Sequence, residues 1–302
     1  MNLLLGLFFM LQTSAAPMQV PEPAIDRNAF TFTEYRLQAT LDPAKHGIVV
    51  EGDVTLRNDS EKPQDNAILQ ISSSLEWNSV SVPGAPAKYA HEKLPSDIDH
   101  TGAVNEARVT LAPVAPKGSV TVHVAYAGTI ELGNGRLRRL GTPPSVAEQN
   151  DWDRIGADIT ALRGVGYVAW YPVSIEPALL SDGNTAFERI ARWRGRHQQS
   201  SMTLTLRGST GTVVSSADQT SADGTTLTWR SFGIDTPTFV VGAYQKSTTR
   251  NGEVFGLESS AQAAQRYAKI FGELQPVPDA RPRNPQRIAQ LPASFSAFEA
   301  KN

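Results

Sequence analysis

The residues best suited to metal or proton chemistry are five histidines: His46, His91, His100, His123 and His197. No two stand four apart, the spacing that puts two imidazoles on one face of a helix. His91-Glu92-Lys-Leu-Pro95 begins like a metal-binding His-Glu-x-x-His helix, but Pro95 occupies the place of the second histidine and breaks the helix. His123 lies in alternating strand sequence and reads as a core or surface position. Cysteine is absent, which excludes disulfides, a thiol nucleophile and Cys-ligated zinc. No Gly-x-Ser-x-Gly elbow occurs, and Gly133-Asn-Gly135 reads as a turn, not a phosphate loop. Carboxylates are plentiful, but spacing pairs none of them. Lys and Arg (28) nearly balance Asp and Glu (30). The basic cluster from Arg189 to His197 reads as a solvated loop or strand edge, so no nucleic-acid face is expected. Asn58-Asp-Ser60 is an N-glycosylation triplet.

The elements that must position these groups are mostly strands. Residues 1–16 read as a secretory signal peptide: Leu3 to Leu11 form an apolar core too short to span a bilayer, and Ser14-Ala15-Ala16 suits cleavage. Residues 17–29 read as a Pro-rich linker, and no later segment is apolar enough to cross a membrane. Export to the periplasm or the exterior is therefore expected. Alternation predicts strands at 30–41, 48–57 (with Gly52 a possible bulge), 67–71, 75–82, 108–111, 119–128, 201–206, 211–215, 225–232 and 239–244. Residues 84–106 are polar and irregular. Short strands with turn signals at this spacing predict a mainly β chain, an antiparallel β-sandwich, over residues 30–257.

Two helices are expected. One lies within Asn150–Arg163, where Trp152, Ile155, Ile159 and Leu162 fall on one helical face. The other runs from Ser259 to Phe271, capped by serine and stopped by Gly272. Residues 258–302 hold too little apolar sequence for a core and read as the helical start of an incomplete second domain. Near the middle of the chain, Tyr167 to Pro177 is a short aromatic run with strong β-preference, stopped by Pro172, and it reads as a packed core strand.

At this central stretch the chain resembles the amino-terminal domain of the aminopeptidase N family of zinc metallopeptidases. That family's aromatic-Pro-x-x-x-Glu-Pro signature stands here as Tyr171-Pro172-Val-Ser-Ile-Glu176-Pro177. Tyr35 to Asp42 with Val50 to Leu56 looks like the family's first two strands. Thr236 to Tyr244 looks like the strand closing its first domain, and Tyr267 to Gly272 like the helix leading into its catalytic domain. The departures matter as much. The family's Gly-x-Met-Glu-Asn segment, which holds the substrate amine, is matched only by Ser296-Ala-Phe-Glu299-Ala300, leaving Glu299 as the substrate-binding candidate. The zinc helix is absent. The family's upstream substrate anchor falls on Leu162-Arg163-Gly164-Val165, which carries no acid or amide.

The resemblance implies a saddle-like, non-catalytic β-domain that walls one side of a peptidase cleft. Catalytic and metal-ligating residues are expected to be absent from this chain, with zinc present only in a full-length parent. Its partner would be its own catalytic domain, and peptide substrate would be met only through that domain. A stand-alone module binding carbohydrate or protein is the alternative, with exposed indoles among Trp77, Trp152, Trp170, Trp193 and Trp229 as its platform. A metal-free regulatory homologue is a third reading.

Overall fold

The structure is a computed structural model, and it describes residues 25–82, 85–233, 236–274 and 286–290. The expected signal peptide and Glu299 lie outside the described residues.

Strand β1 (Phe30–Asp42) buries Phe32, Tyr35, Leu37, Ala39 and Leu41 and exposes Arg36, Gln38 and Thr40. This is the period-2 pattern of a sheet with one face on a core. β1 pairs antiparallel with β2 (Gly47–Asn58) on one side and parallel with β10 (Ser201–Arg207) on the other. Strands β4 (Leu75–Val82), β5 (Ala85–Pro86), β8 (Ser119–Thr129), β12 (Gln219–Thr220) and β13 (Thr226–Trp229) extend the sheet to eight strands, in the order β12-β13-β10-β1-β2-β8-β4-β5. A second sheet, β3 (Gln64–Ser72), β7 (Ala103–Val114) and β6 (Tyr89–Pro95), shares one continuous apolar core with it. The Trp77 indole N–H donates to the Asn105 carbonyl at 3.2 Å and ties the two layers together. A third sheet joins β9 (Ile159–Leu162), β14 (Phe239–Gly242) and β11 (Thr212–Ser215). The fourth contains β15 (Tyr244–Thr249), β16 (Gly252–Leu257) and β17 (Gln286–Ala289). The chain is thus mainly β, with several antiparallel sheets.

Short helices α1 (Gly135–Arg139) and α2 (Pro144–Asn150) precede β9, and α3 (Thr185–Arg196) precedes β10. Helix α4 (Ala261–Glu273) forms close to the Ser259–Phe271 pattern, but no serine side chain caps it and it runs through Gly272, because Ala268 and Phe271 pack on Val254 of β16 and hold its last turn. No helix among the described residues is long and apolar enough to cross a membrane.

Several local expectations are corrected. Residues 84–106 hold β6 and the start of β7. Among the described residues β6 is an edge strand that pairs only with β7 and is mostly exposed, so no buried face imposes alternation on it. The helix expected within 150–163 is not formed. Helix α2 ends at Asn150, and β9 places Ile159 and Leu162 in different apolar clusters. The apolar spacing there imitates a helix, but pairing with β14 wins. The stretch Arg189–His197 is helical as far as Arg196: Ala186, Ile190, Trp193 and the capping His197 form the inward stripe, and Arg189, Arg194 and Arg196 tether the helix by donating to the carbonyls of Pro177, Val165 and Asn28. Gly52 sits in regular register opposite Leu37, and the bulge lies in β1 between Phe32 and Glu34. Glycine is still required there, because at φ +149° a β-carbon would collide with the Arg36 carbonyl.

Asn58 of the glycosylation triplet is fully buried. Its amide donates to the carbonyls of Lys62 and Val114, each at 2.8 Å, and its oxygen accepts from Ser60. A folded chain cannot present it to a glycosyltransferase. Asn58→Asp would aim a carboxylate oxygen at those two carbonyls, and urea unfolding should register a loss of about 3 kcal/mol. A loss below about 0.5 kcal/mol would show that the loop does not depend on this amide.

Candidate functional site

The aromatic stretch expected as a strand is buried but is not one. Gly164 and Gly166 at positive φ and the two prolines, Pro172 and Pro177, prevent a regular ladder. A single bridge, Gln70 to Val173, is all the sheet pairing it makes. Side chains take over the role of the ladder. The Gln70 oxygen accepts from the Ile175 N–H at 2.8 Å, and its amide donates to the Ile175 carbonyl at 2.9 Å and to Glu106 at 2.7 Å. The Asp99 carboxylate accepts from the Ala169 N–H at 2.7 Å, from the Ser72 hydroxyl at 3.0 Å and from Thr101. The His100 N–H donates to the Tyr167 carbonyl, and the Asp97 N–H to the Ala178 carbonyl, both at 2.7 Å.

The signature residues belong to this brace. Tyr171 is fully buried and packs edge-on against Tyr35 and Trp170. Burial pushes its hydroxyl pKa well up, so it stays protonated and performs no acid–base work near neutrality. The Pro172 carbonyl accepts from the Tyr35 hydroxyl at 3.0 Å. Glu176 is half-exposed, accepts from Asn28 and pairs with Arg189 at 3.4 Å, while Arg189 also donates to the Pro177 carbonyl. All four side chains position the backbone, and none is paired as a nucleophile or a base.

Behind the brace lies a charge cluster that spacing did not disclose. Asp97, Asp99, Asp151 and Asp153 are all buried. Arg136, itself buried, binds Asp151 through two hydrogen bonds of 2.5 and 2.9 Å and donates to the carbonyls of Asp97 and Gly166. Arg139 pairs with Asp97. Arg163 binds Asp153 at 2.6 Å. Its guanidinium also lies between the rings of Trp152 and Tyr167, 3.7 and 3.6 Å from their centroids. The pair is closed on itself: a cation neutralised by a buried carboxylate and covered by two rings. Burial outweighs Arg163 and raises the Asp153 pKa, which marks the desolvation the pair must offset. The sequence signal available was the repeated Asp-x-Asp of Asp97-Ile-Asp99 and Asp151-Trp-Asp153.

The five histidines stand on separate elements. His46 contacts the Ile155 carbonyl, His91 is on the exposed edge strand β6, His123 pairs with Asp53 at 2.8 Å on the surface, and His100 and His197 are buried. Among the described residues no three His, Asp or Glu side chains are grouped to hold a metal ion. The donor set here does not fit a peptidase zinc. The indole platform is not formed either: Trp77, Trp170, Trp193 and Trp229 are buried, and Trp152 is covered by Arg163.

No family model matches the sequence, and no curated protein does. Among solved structures the chain is similar to yeast LTA4 hydrolase in complex with bestatin, with 13% identity and a TM-score of 0.50 over 84% of this chain and 36% of that one. It is also similar to the M1 zinc metallopeptidase of Deinococcus radiodurans, with 15% identity and a TM-score of 0.47, over 78% of this chain and 49% of that one. The chain spans between about a third and a half of the length of these structures. At such identity the likeness is one of fold, and it is the fold that the Tyr171–Pro177 signature led us to expect.

Proposed function

We propose that this chain is the non-catalytic amino-terminal β-domain of an exported aminopeptidase N-like protein, packing against and bordering a zinc peptidase domain that lies outside these residues. The observation that carries the reading is the fold likeness to the yeast hydrolase, spread over most of this chain but about a third of that one. The locked Arg163–Asp153 pair supports a structural role, because the position that would anchor substrate is occupied internally. In the parent protein, zinc would activate the water that attacks a peptide bond. The residues described here would supply a rigid wall for the cleft.

The test is the natural gene product. Its reading frame is expected to continue past Asn302 into a helix carrying His-Glu-x-x-His. The longer protein should release p-nitroaniline from aminoacyl p-nitroanilides and lose that activity on chelation, while the 302-residue chain should have none. Amino-terminal sequencing of the exported form should begin at Pro17. A stop after Asn302 overturns the reading. So does a continuation in which the zinc ligands are replaced, which would make the parent a metal-free regulatory homologue.

A further inference from the structure

Thr160 is out of place as a packing residue. It sits on β9 opposite Val241 of β14, on the sheet face that meets the main core, and it is only 2% exposed. Valine would fill the same volume without a hydroxyl to desolvate. Among the described residues the Thr160 hydroxyl has no hydrogen-bond partner, and neither do the hydroxyls of Ser209 and Thr210. All three residues line one cavity of about 330 Å³, where the end of β1 meets the β11-β14-β9 sheet. That volume is at the lower end for small-molecule sites.

Leu41 and Val241 form an apolar wall of the cavity, and Asp158 stands at its rim. Arg154 holds one oxygen of Asp158 at 2.5 Å. The other oxygen lies over Gly156, where a β-carbon would come within 3.0 Å of it. No Lys, Arg or His lines the cavity. The lining therefore offers the second oxygen of a carboxylate already paired with Arg154, and three uncommitted hydroxyls beside an apolar wall. Such a surface suits a ligand rich in hydrogen-bond donors and poor in negative charge.

We infer that this cavity is a binding site for a small primary amine carrying a short apolar body. The ammonium group meets Asp158 and the hydroxyls of Thr160, Ser209 and Thr210, and the apolar part lies on Leu41 and Val241. The site is separate from the Tyr171–Pro177 brace and does not depend on the peptidase reading.

The experiment titrates n-butylamine, n-butanol and butyrate into the 15N-labelled 302-residue chain at neutral pH and follows the amides of Gly156, Gly211 and Gly242. Saturable shifts at these glycines are expected with butylamine, with weaker binding of butanol and weakest of butyrate. Thr160→Val and Asp158→Asn should each weaken butylamine binding by about threefold to tenfold, the worth of one hydrogen bond. Asp158 is 66% exposed, so its variant folds even if Thr160→Val disturbs the core. Absence of saturable shifts, butyrate or butanol binding as tightly as the amine, or indifference to both variants overturns the assignment.

Discussion

Arg136→Met is expected to destabilise the protein by about 3–5 kcal/mol, the usual cost of leaving one partner of a buried ion pair alone. Arg136 and Asp151 are 7% and 2% exposed, so water cannot stand in for the lost guanidinium. The variant leaves the Asp151 carboxylate buried without a cation and withdraws donors from the carbonyls of Asp97 and Gly166. Through those two carbonyls Arg136 holds the loop that carries Asp97 and Asp99 against the segment leading into Tyr171. The loss should therefore extend beyond one ion pair. Denaturant unfolding of the variant measures it. The double variant Arg136→Met with Asp151→Leu should recover part of the stability, because it removes the stranded charge as well as its partner. A single-variant loss below about 1 kcal/mol would show that the cluster does not tie these segments together.

Acidification from pH 6.5 to pH 4 should cost about 3 kcal/mol through His197 alone. The ring is buried, stacks on Trp193 with centroids 4.1 Å apart, and accepts from the Phe32 N–H at 3.1 Å through Nε2. Its Nδ1 donates to the Trp193 carbonyl at 2.7 Å. Both nitrogens are committed to the neutral ring. Burial, helped by nearby Arg196 and opposed by the Trp193 carbonyl, pushes the pKa down from 6.5 to about 4. Above pH 6.5 the ring is neutral in both states and its contribution is complete. Between pH 6.5 and 4 the unfolded chain binds a proton that the folded chain refuses, so stability falls with pH. Below about pH 4 both states carry the proton and the decline stops. His197→Gln keeps a hydrogen-bonding side chain but cannot titrate. The difference between the two urea-derived stability curves therefore isolates this proton from the carboxylates. Parallel curves across the window would sink the assignment.

The strands were largely legible, and specific residues show why. Tyr35, Leu37 and Ala39 alternate with Arg36 and Gln38 because β1 has one wet face, and alternation is a local pattern. Where that condition fails, the pattern fails with it. β6 is wet on most of its length and shows no alternation, while Val168–Tyr171 is buried and reads as a strand although it forms none. Helix α3 was hidden because its four arginines, at 189, 192, 194 and 196, give the segment the look of a basic surface run. The spacing of Ala186, Ile190, Trp193 and His197 carried the signal.

The β-rich class, the Tyr171–Pro177 signature, the helix near residue 260 and the lack of thiol chemistry were legible from the sequence alone. Each depends on residue type or on short-range periodicity. The fold alone reveals that Asp151 and Asp153 are counter-ions to Arg136 and Arg163. Only it decided that Arg163 is sandwiched and spent, that Asn58 is sealed inside, and that Thr160 opens on a cavity. These outcomes depend on partners set by the fold. Arg136 meets Asp151 across 15 residues, Arg139 meets Asp97 across 42, and Gln70 meets Ile175 across 105. At such separations spacing specifies no pairing. The worth of a charge or a hydroxyl is then set by the burial and the neighbours that chain folding brings to it.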